Sequence, residues 1–139
     1  MLRSLLAVLA GYLIFAASAV VFFRVSLRDP HLPAPLGFMA VSILYGILFS
    51  ALGGYVSALL GRRYHFEHSL AVATIIAVLG AASMIAEPAQ ESKWAQLGTV
   101  LIIAPGAMLG GYLRRRQILT AKLKAKITAS AASEHPGRS

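Results

Sequence analysis

Four stretches without a single charged side chain, Ser4 to Phe23, Leu36 to Gly61, Ser69 to Ala86 and Ala95 to Leu113, constrain this chain more than any other feature of it. Each is close to the ~20 apolar residues an α-helix needs to cross a hydrocarbon core about 30 Å thick. The runs are continuously apolar and rich in Ala, Leu and Gly, without the strict alternation of a barrel strand, so helices are expected. Helices of a water-soluble bundle would carry a polar face, and these carry almost none. Only 13% of the 139 residues are charged and 58% are hydrophobic, whereas a soluble domain has about a quarter of its residues charged. The expected fold is all-α: an integral-membrane four-helix bundle over residues 1–116, with helices at about 4–23, 36–61, 69–86 and 95–113. A basic tail follows over 117–139.

The charges between the runs sort the ends. Arg3 precedes the first run, Arg62 and Arg63 follow the second, and Arg114, Arg115 and Arg116 follow the fourth. Under the positive-inside rule all three groups belong in the cytoplasm, which puts both termini there, in a plasma or inner membrane. The opposite loops are mixed in sign, with Arg24, Arg28 and Asp29 in one and Glu87, Glu91 and Lys93 in the other. The net charge of +8 is therefore read as a topology signal, and no nucleic-acid partner is expected. Arg3, the run from Leu5 and the triplet Ala17-Ser18-Ala19 imitate a cleavable secretory signal. The apolar run continues to Phe23, a full spanning length, which favours a retained helix over a signal sequence.

Two runs end alike, in "LGGYVSALLGRR" and "LGGYLRRR". In the second run Gly46, Ser50, Gly54 and Ala58 recur every four residues; in the fourth Gly98, Gly106 and Gly110 keep that period, with Ile102 interrupting. Residues four apart share one helical face, so each helix is expected to offer a shallow groove for close approach of another backbone. Ala73, Ala77 and Ala81 do the same in the third run, and Ala7 and Gly11 in the first. Tyr55 and Tyr112, close to the arginines, and Trp94, before the fourth helix, read as interface anchors. The first and third runs also echo one another, "SLLAVLAGYLIFAAS" against "SLAVATIIAVLGAAS". With the LGGY blocks, this predicts a transmembrane hairpin used twice in parallel repeat.

Chemistry is conspicuous by its absence. Cysteine is lacking altogether, which excludes disulfides, thiolate catalysis and cysteine-ligated metal. None of the four runs holds Asp, Glu, His or Lys, the groups that proton relays and ion-coupled carriers place inside a membrane. Asp29, His31, Glu87 and Glu91 form an oxygen-rich grouping with one imidazole, a candidate for a divalent cation at the loop mouth, and His65, Glu67 and His68 have the spacing of an incomplete metal clip. His65, Glu67 and His68 of "RRYHFEHS" are read as headgroup-level residues, with Glu67 favouring the positive end of the third helix dipole. Pro105 falls inside the fourth run and predicts a kink between about Leu101 and Gly106. The stretch "QILTAKLKAKITA" mixes apolar residues with lysines. It is expected to be partly helical and to meet anionic lipid headgroups, with disorder toward the end.

No cofactor and no catalytic role are expected. The best-supported expectation is a noncatalytic module that packs with itself or within a larger membrane complex; the alternative is a passive channel or small-solute transporter built from the duplicated hairpin or an oligomer. Because the chain has no cysteine, single-cysteine labelling reads the topology cleanly. Ala34→Cys should react with an impermeant thiol reagent in intact cells, whereas Ser130→Cys should react only after lysis; the reverse pattern would invert the orientation.

Overall fold

The computed structural model describes residues 2–29, 32–61, 65–86 and 93–133. Helix α1 is Leu2–Ser26, α2 is Leu36–Leu60 and α3 is His65–Ala86. The fourth crossing begins as α4 (Trp94–Gly98), widens into a π-helical turn (Thr99–Ile103) and continues as α5 (Ala104–Ser133). No strand occurs among the described residues. Four helices are long and apolar enough to cross a membrane.

The element ends follow from local chemistry. Pro35 precedes α2 with φ −60° and ψ 145°, an extended geometry to which its ring is already suited, and its carbonyl accepts from the Met39 N–H at 3.0 Å. At the other end Gly61 donates its N–H to Ser57 O at 3.0 Å. Helix α1 closes on Leu27, which adopts φ 50° and donates to Arg24 O at 3.4 Å. A left-handed residue after the last helical turn is a common stop, but it is usually glycine; Leu27 bears a penalty of roughly 1 kcal/mol. Helix α3 starts four residues before the apolar run, at His65, with Glu67 in its first turn. Polar residues in a first turn cost a helix little, and an acid there is favoured by the dipole. The fourth crossing also outruns its apolar stretch. From Trp94 to Ser130 the rod has 37 residues, about 55 Å at 1.5 Å per residue, so its distal part extends beyond a 30 Å core. Residues Arg115 to Gln117 and Leu119 to Ser130 are exposed along it. Residues 134–139, the far end of the expected disordered stretch, lie outside the described residues.

Size is distributed inversely to a soluble core. Leu5, Leu9, Leu13, Leu44, Leu48 and Leu101 face outward, while Ala7, Ala58 and Ala107 are among the most deeply buried residues. With acyl chains as solvent, leucine gains nothing by burial, and small residues that admit close backbone contact occupy the interior instead. Val72, Ala73, Ile76, Ala104 and Ala107 form the central cluster, joining α3 to α5, and Val8, Tyr12 and Phe15 of α1 pack on it.

Helix α2 lies between α1 and α5 and touches both at backbone distance. A Cβ on Gly11 would stand 2.6 Å from Gly53 O, and one on Gly53 would strike Gly11 O in return. A Cβ on Gly54 would strike Ala107 O, and one on Gly110 would strike Ala51 O and come within 2.6 Å of Tyr55 N. Consecutive residues on a helix are about 100° apart, so the Gly53-Gly54 pair serves two neighbours at once, α1 and α5. The second LGGY block lies beside the first because α2 and α5 run parallel. Contacts advance together along both, from Gly46 with Ile103 to Gly54 with Ala107 and Ala51 with Gly110.

Gly54→Ala should therefore destabilise the bundle by roughly 3 kcal/mol, the upper range for overpacking, since the obstructing atoms are backbone. Gly37→Ala, where an added Cβ meets nothing within 4 Å, should be neutral or mildly stabilising. Thermal unfolding in detergent, followed by circular dichroism, separates the two; equal midpoints would mean that α2 and α5 are not held at this distance.

Candidate functional site

The interior polar groups sit mainly on α2 and the elements it touches. Ser18 donates to Phe15 O (2.7 Å), Ser42 to Phe38 O (2.8 Å) and Ser69 to Phe66 O (2.8 Å), each within its own helix. Two serines reach across. Ser50, fully buried, donates to Ile103 O at 2.8 Å and to Ile47 O at 3.0 Å. Ser57, equally buried, approaches His68 O at 3.5 Å. In hydrocarbon an unsatisfied hydroxyl is costly; here the protons go to carbonyls.

The interruption at Pro105 takes the form of the π turn that precedes it. Proline has no N–H and its ring crowds the carbonyl one turn back. One extra residue in that turn relieves the clash, and Ala104 N–H bonds Thr99 O. This wide turn lies where α2 crosses, with Ile103 filling the space over Gly46 and the Ser50 hydroxyl on the Ile103 carbonyl. Gly106 follows at once, and a Cβ there would stand 2.5 Å from Ser50 Oγ.

The remaining small residues named from the sequence are placed as follows. Ala58 and Ala73 are buried, Ala77 packs on the central cluster and Ala81 is half-buried. Of the interface residues, Tyr55 donates from its hydroxyl to Gln117 Oε1 at 2.9 Å, tying α2 to the start of the basic rod. Tyr112 is exposed, Arg114 is half-buried, and Arg115 and Arg116 are exposed. Arg62 and Arg63 lie outside the described residues, as do His31, Glu87 and Glu91 of the oxygen-rich grouping; Asp29 is exposed. Among the described residues no three of His, Cys, Asp or Glu converge to hold a metal ion.

Sequence reasoning missed two features. His68 is buried among protein atoms at 7% exposure, its imidazole ring lying where a Cβ on Gly61 would come within 2.7 Å. A glycine closing α2, seven residues before that histidine, was the available signal. The other is an aromatic cluster at the loop end, opposite the termini. Phe22 stacks on Phe38 (5.7 Å between centroids) and leans on Tyr45 (4.7 Å), and Trp94 meets Phe38 edge-on (6.2 Å). Trp94 is fastened by its Nε1–H to Leu32 O at 3.0 Å, and the Arg28 guanidinium lies 5.1 Å above the Phe38 ring. Residues so far apart in sequence share no period, and only the bundle brings them together. Beneath them, α1, α2 and the fourth crossing leave a crevice of about 50 Å³.

No family model, curated protein or solved structure matches the chain.

The two classes of serine should behave differently. Ser50→Ala removes an interhelical bond and should lower stability by about 1 kcal/mol, whereas Ser42→Ala removes only a bond to its own helix and should change it little. Unfolding midpoints of the two variants in the same detergent make the comparison, and equal losses would deny the Ser50 bond an interhelical role.

Proposed function

We propose that this chain is a noncatalytic helix-packing module of a plasma or inner membrane, with both termini cytoplasmic, that serves as an assembly unit of a membrane complex. The observation that carries the reading is the use of the interior hydroxyls. Ser18, Ser42, Ser50, Ser57 and Ser69 are buried and each donates to a backbone carbonyl. Ser50 and Ser57 reach a carbonyl of a neighbouring helix and the other three a carbonyl of their own; protons committed to backbone in this way are not arrayed for a solute. The absence of Asp, Glu, His and Lys from the four uncharged runs points the same way, since ion-coupled transport and acid–base catalysis need a titratable group at depth.

The LGGY blocks, in this reading, belong to a hairpin used twice, whose copies pack on one another through those blocks. The exposed lysines of the distal rod, Lys122, Lys124 and Lys126, add attraction to anionic headgroups of roughly 1 kcal/mol each where they lie near the surface. A passive channel is the competing reading. It would be built from the duplicated hairpin or from several copies, and the backbone contacts of α2 with α1 and α5 disfavour a pore along those two seams.

Reconstitution of the pure chain into vesicles, beside gentle extraction from native membranes and native mass spectrometry, tests the proposal. The expected result is a complex of fixed stoichiometry in the native membrane and vesicles no more permeable to ions or small polar solutes than empty ones. Solute flux through the pure chain would overturn it in favour of the channel.

A further inference from the structure

We propose that the crevice at the loop end is a binding site for one anionic phospholipid, with an acyl chain between α1, α2 and α4 and the phosphate against Arg28. The site is independent of the assembly role. It arises because the backbone of α1 approaches α2 and α3 but stays clear of the fourth crossing. On the side floored by α2, the gap is closed only by side chains, Phe15 and Ile103 at its deep end and Phe22, Phe23 and Trp94 toward the loop. From Phe15 to Phe23 the helix rises about 12 Å, much of one leaflet's hydrocarbon depth.

The chemistry selects the occupant. The hydroxyls on the wall, Ser18, Ser42, Tyr45 and Thr99, already donate to Phe15 O, Phe38 O, Ser18 O and Ala95 O, so the crevice offers water little and favours apolar atoms. Its walls are predominantly apolar, and its interior is too small for a bulky solute. The upper end is cationic. Ala19 and Phe23 line both the crevice and a surface groove that also contains Arg24, Arg28 and Asp29. Two arginines against one carboxylate leave that groove positive, and Arg28 is steadied over Phe38, which in turn contacts Phe22 and Trp94. An apolar slot continuous with a cationic rim matches an anionic amphiphile, and in a bilayer the anionic amphiphile at hand is a phospholipid. A guanidinium is well suited to bind phosphate with paired N–H groups.

Trp94 is the single tryptophan of the chain and lines the crevice, so its fluorescence reports on what fills it. The full chain is reconstituted in phosphatidylcholine vesicles containing a minor, equal fraction of either phosphatidylglycerol or phosphatidylcholine brominated on the acyl chain. Quenching of Trp94 should reveal about fivefold preferential association of the brominated phosphatidylglycerol, the ratio one arginine contact near a membrane surface supplies. Arg28→Gln should bring the two lipids to parity. Ala19→Leu, which blocks the junction of crevice and groove, should also abolish the preference although Arg28 remains. Parity in the wild-type protein overturns the proposal whether or not either variant folds. A preference that survives Arg28→Gln overturns the phosphate assignment, and one that survives Ala19→Leu overturns the acyl-chain assignment.

Discussion

The bundle depends on direct backbone contact between α2 and its two flanking helices. At Gly11 and Gly53 the chains of α1 and α2 meet carbonyl against Cα, and at Gly54 and Ala107 those of α2 and α5 do the same. Lipid gives such helices no hydrophobic reason to associate, because leucine is as well solvated by acyl chains as by protein. What remains is dispersion between atoms in close contact, tiny per pair and large in sum. Glycine makes this available by removing the one atom that would hold the backbones apart. Two glycines in succession extend it to two neighbours on different faces, which accounts for the doubled glycine of the LGGY block better than a single packing groove does.

The π turn and Ser50 follow from that contact. With α5 held against α2, the interruption imposed by Pro105 must be absorbed at the crossing itself. It is absorbed by one widened turn whose Ile103 side chain fills the space over Gly46 and whose Ile103 carbonyl receives the Ser50 hydroxyl. Proline, glycine and serine thus act on one another across the interface. Beyond it the rod continues without a break through Arg114 to Ser133, so the basic segment is carried away from the bundle as an extension of the spanning helix. Tyr55 and Gln117 join the two where the basic segment begins.

The aromatic crevice is the counterpart of the tight seam. Where α2 holds α1 on one flank and α4 with α5 on the other, those flanking helices are kept apart from each other, and the space near the loops is left to side chains. Phe22, Phe38, Tyr45 and Trp94 bridge it imperfectly. Arg28 is brought above it by the left-handed turn at Leu27, the one non-glycine residue with positive φ among the described residues. Strain of that kind is commonest where geometry serves a site.

The sequence by itself determined the number of helices long and apolar enough to cross a membrane, since uncharged runs of spanning length leave a chain in lipid no structure but the helix. It also marked the small-residue positions on α2 and the fourth crossing and the disturbance at Pro105, because periodicity and missing donors are local properties. It did not determine which neighbour each glycine meets. Gly53 was legible only as half of a motif, and its partner Gly11 is fixed by the antiparallel placement of α1. Nor could it place His68 beneath Gly61, assemble Phe22, Phe38 and Trp94 into one cluster, or leave α1 clear of α4. Those outcomes depend on how rods of known length lean on one another, and that is decided by the sum of many contacts between residues distant along the chain.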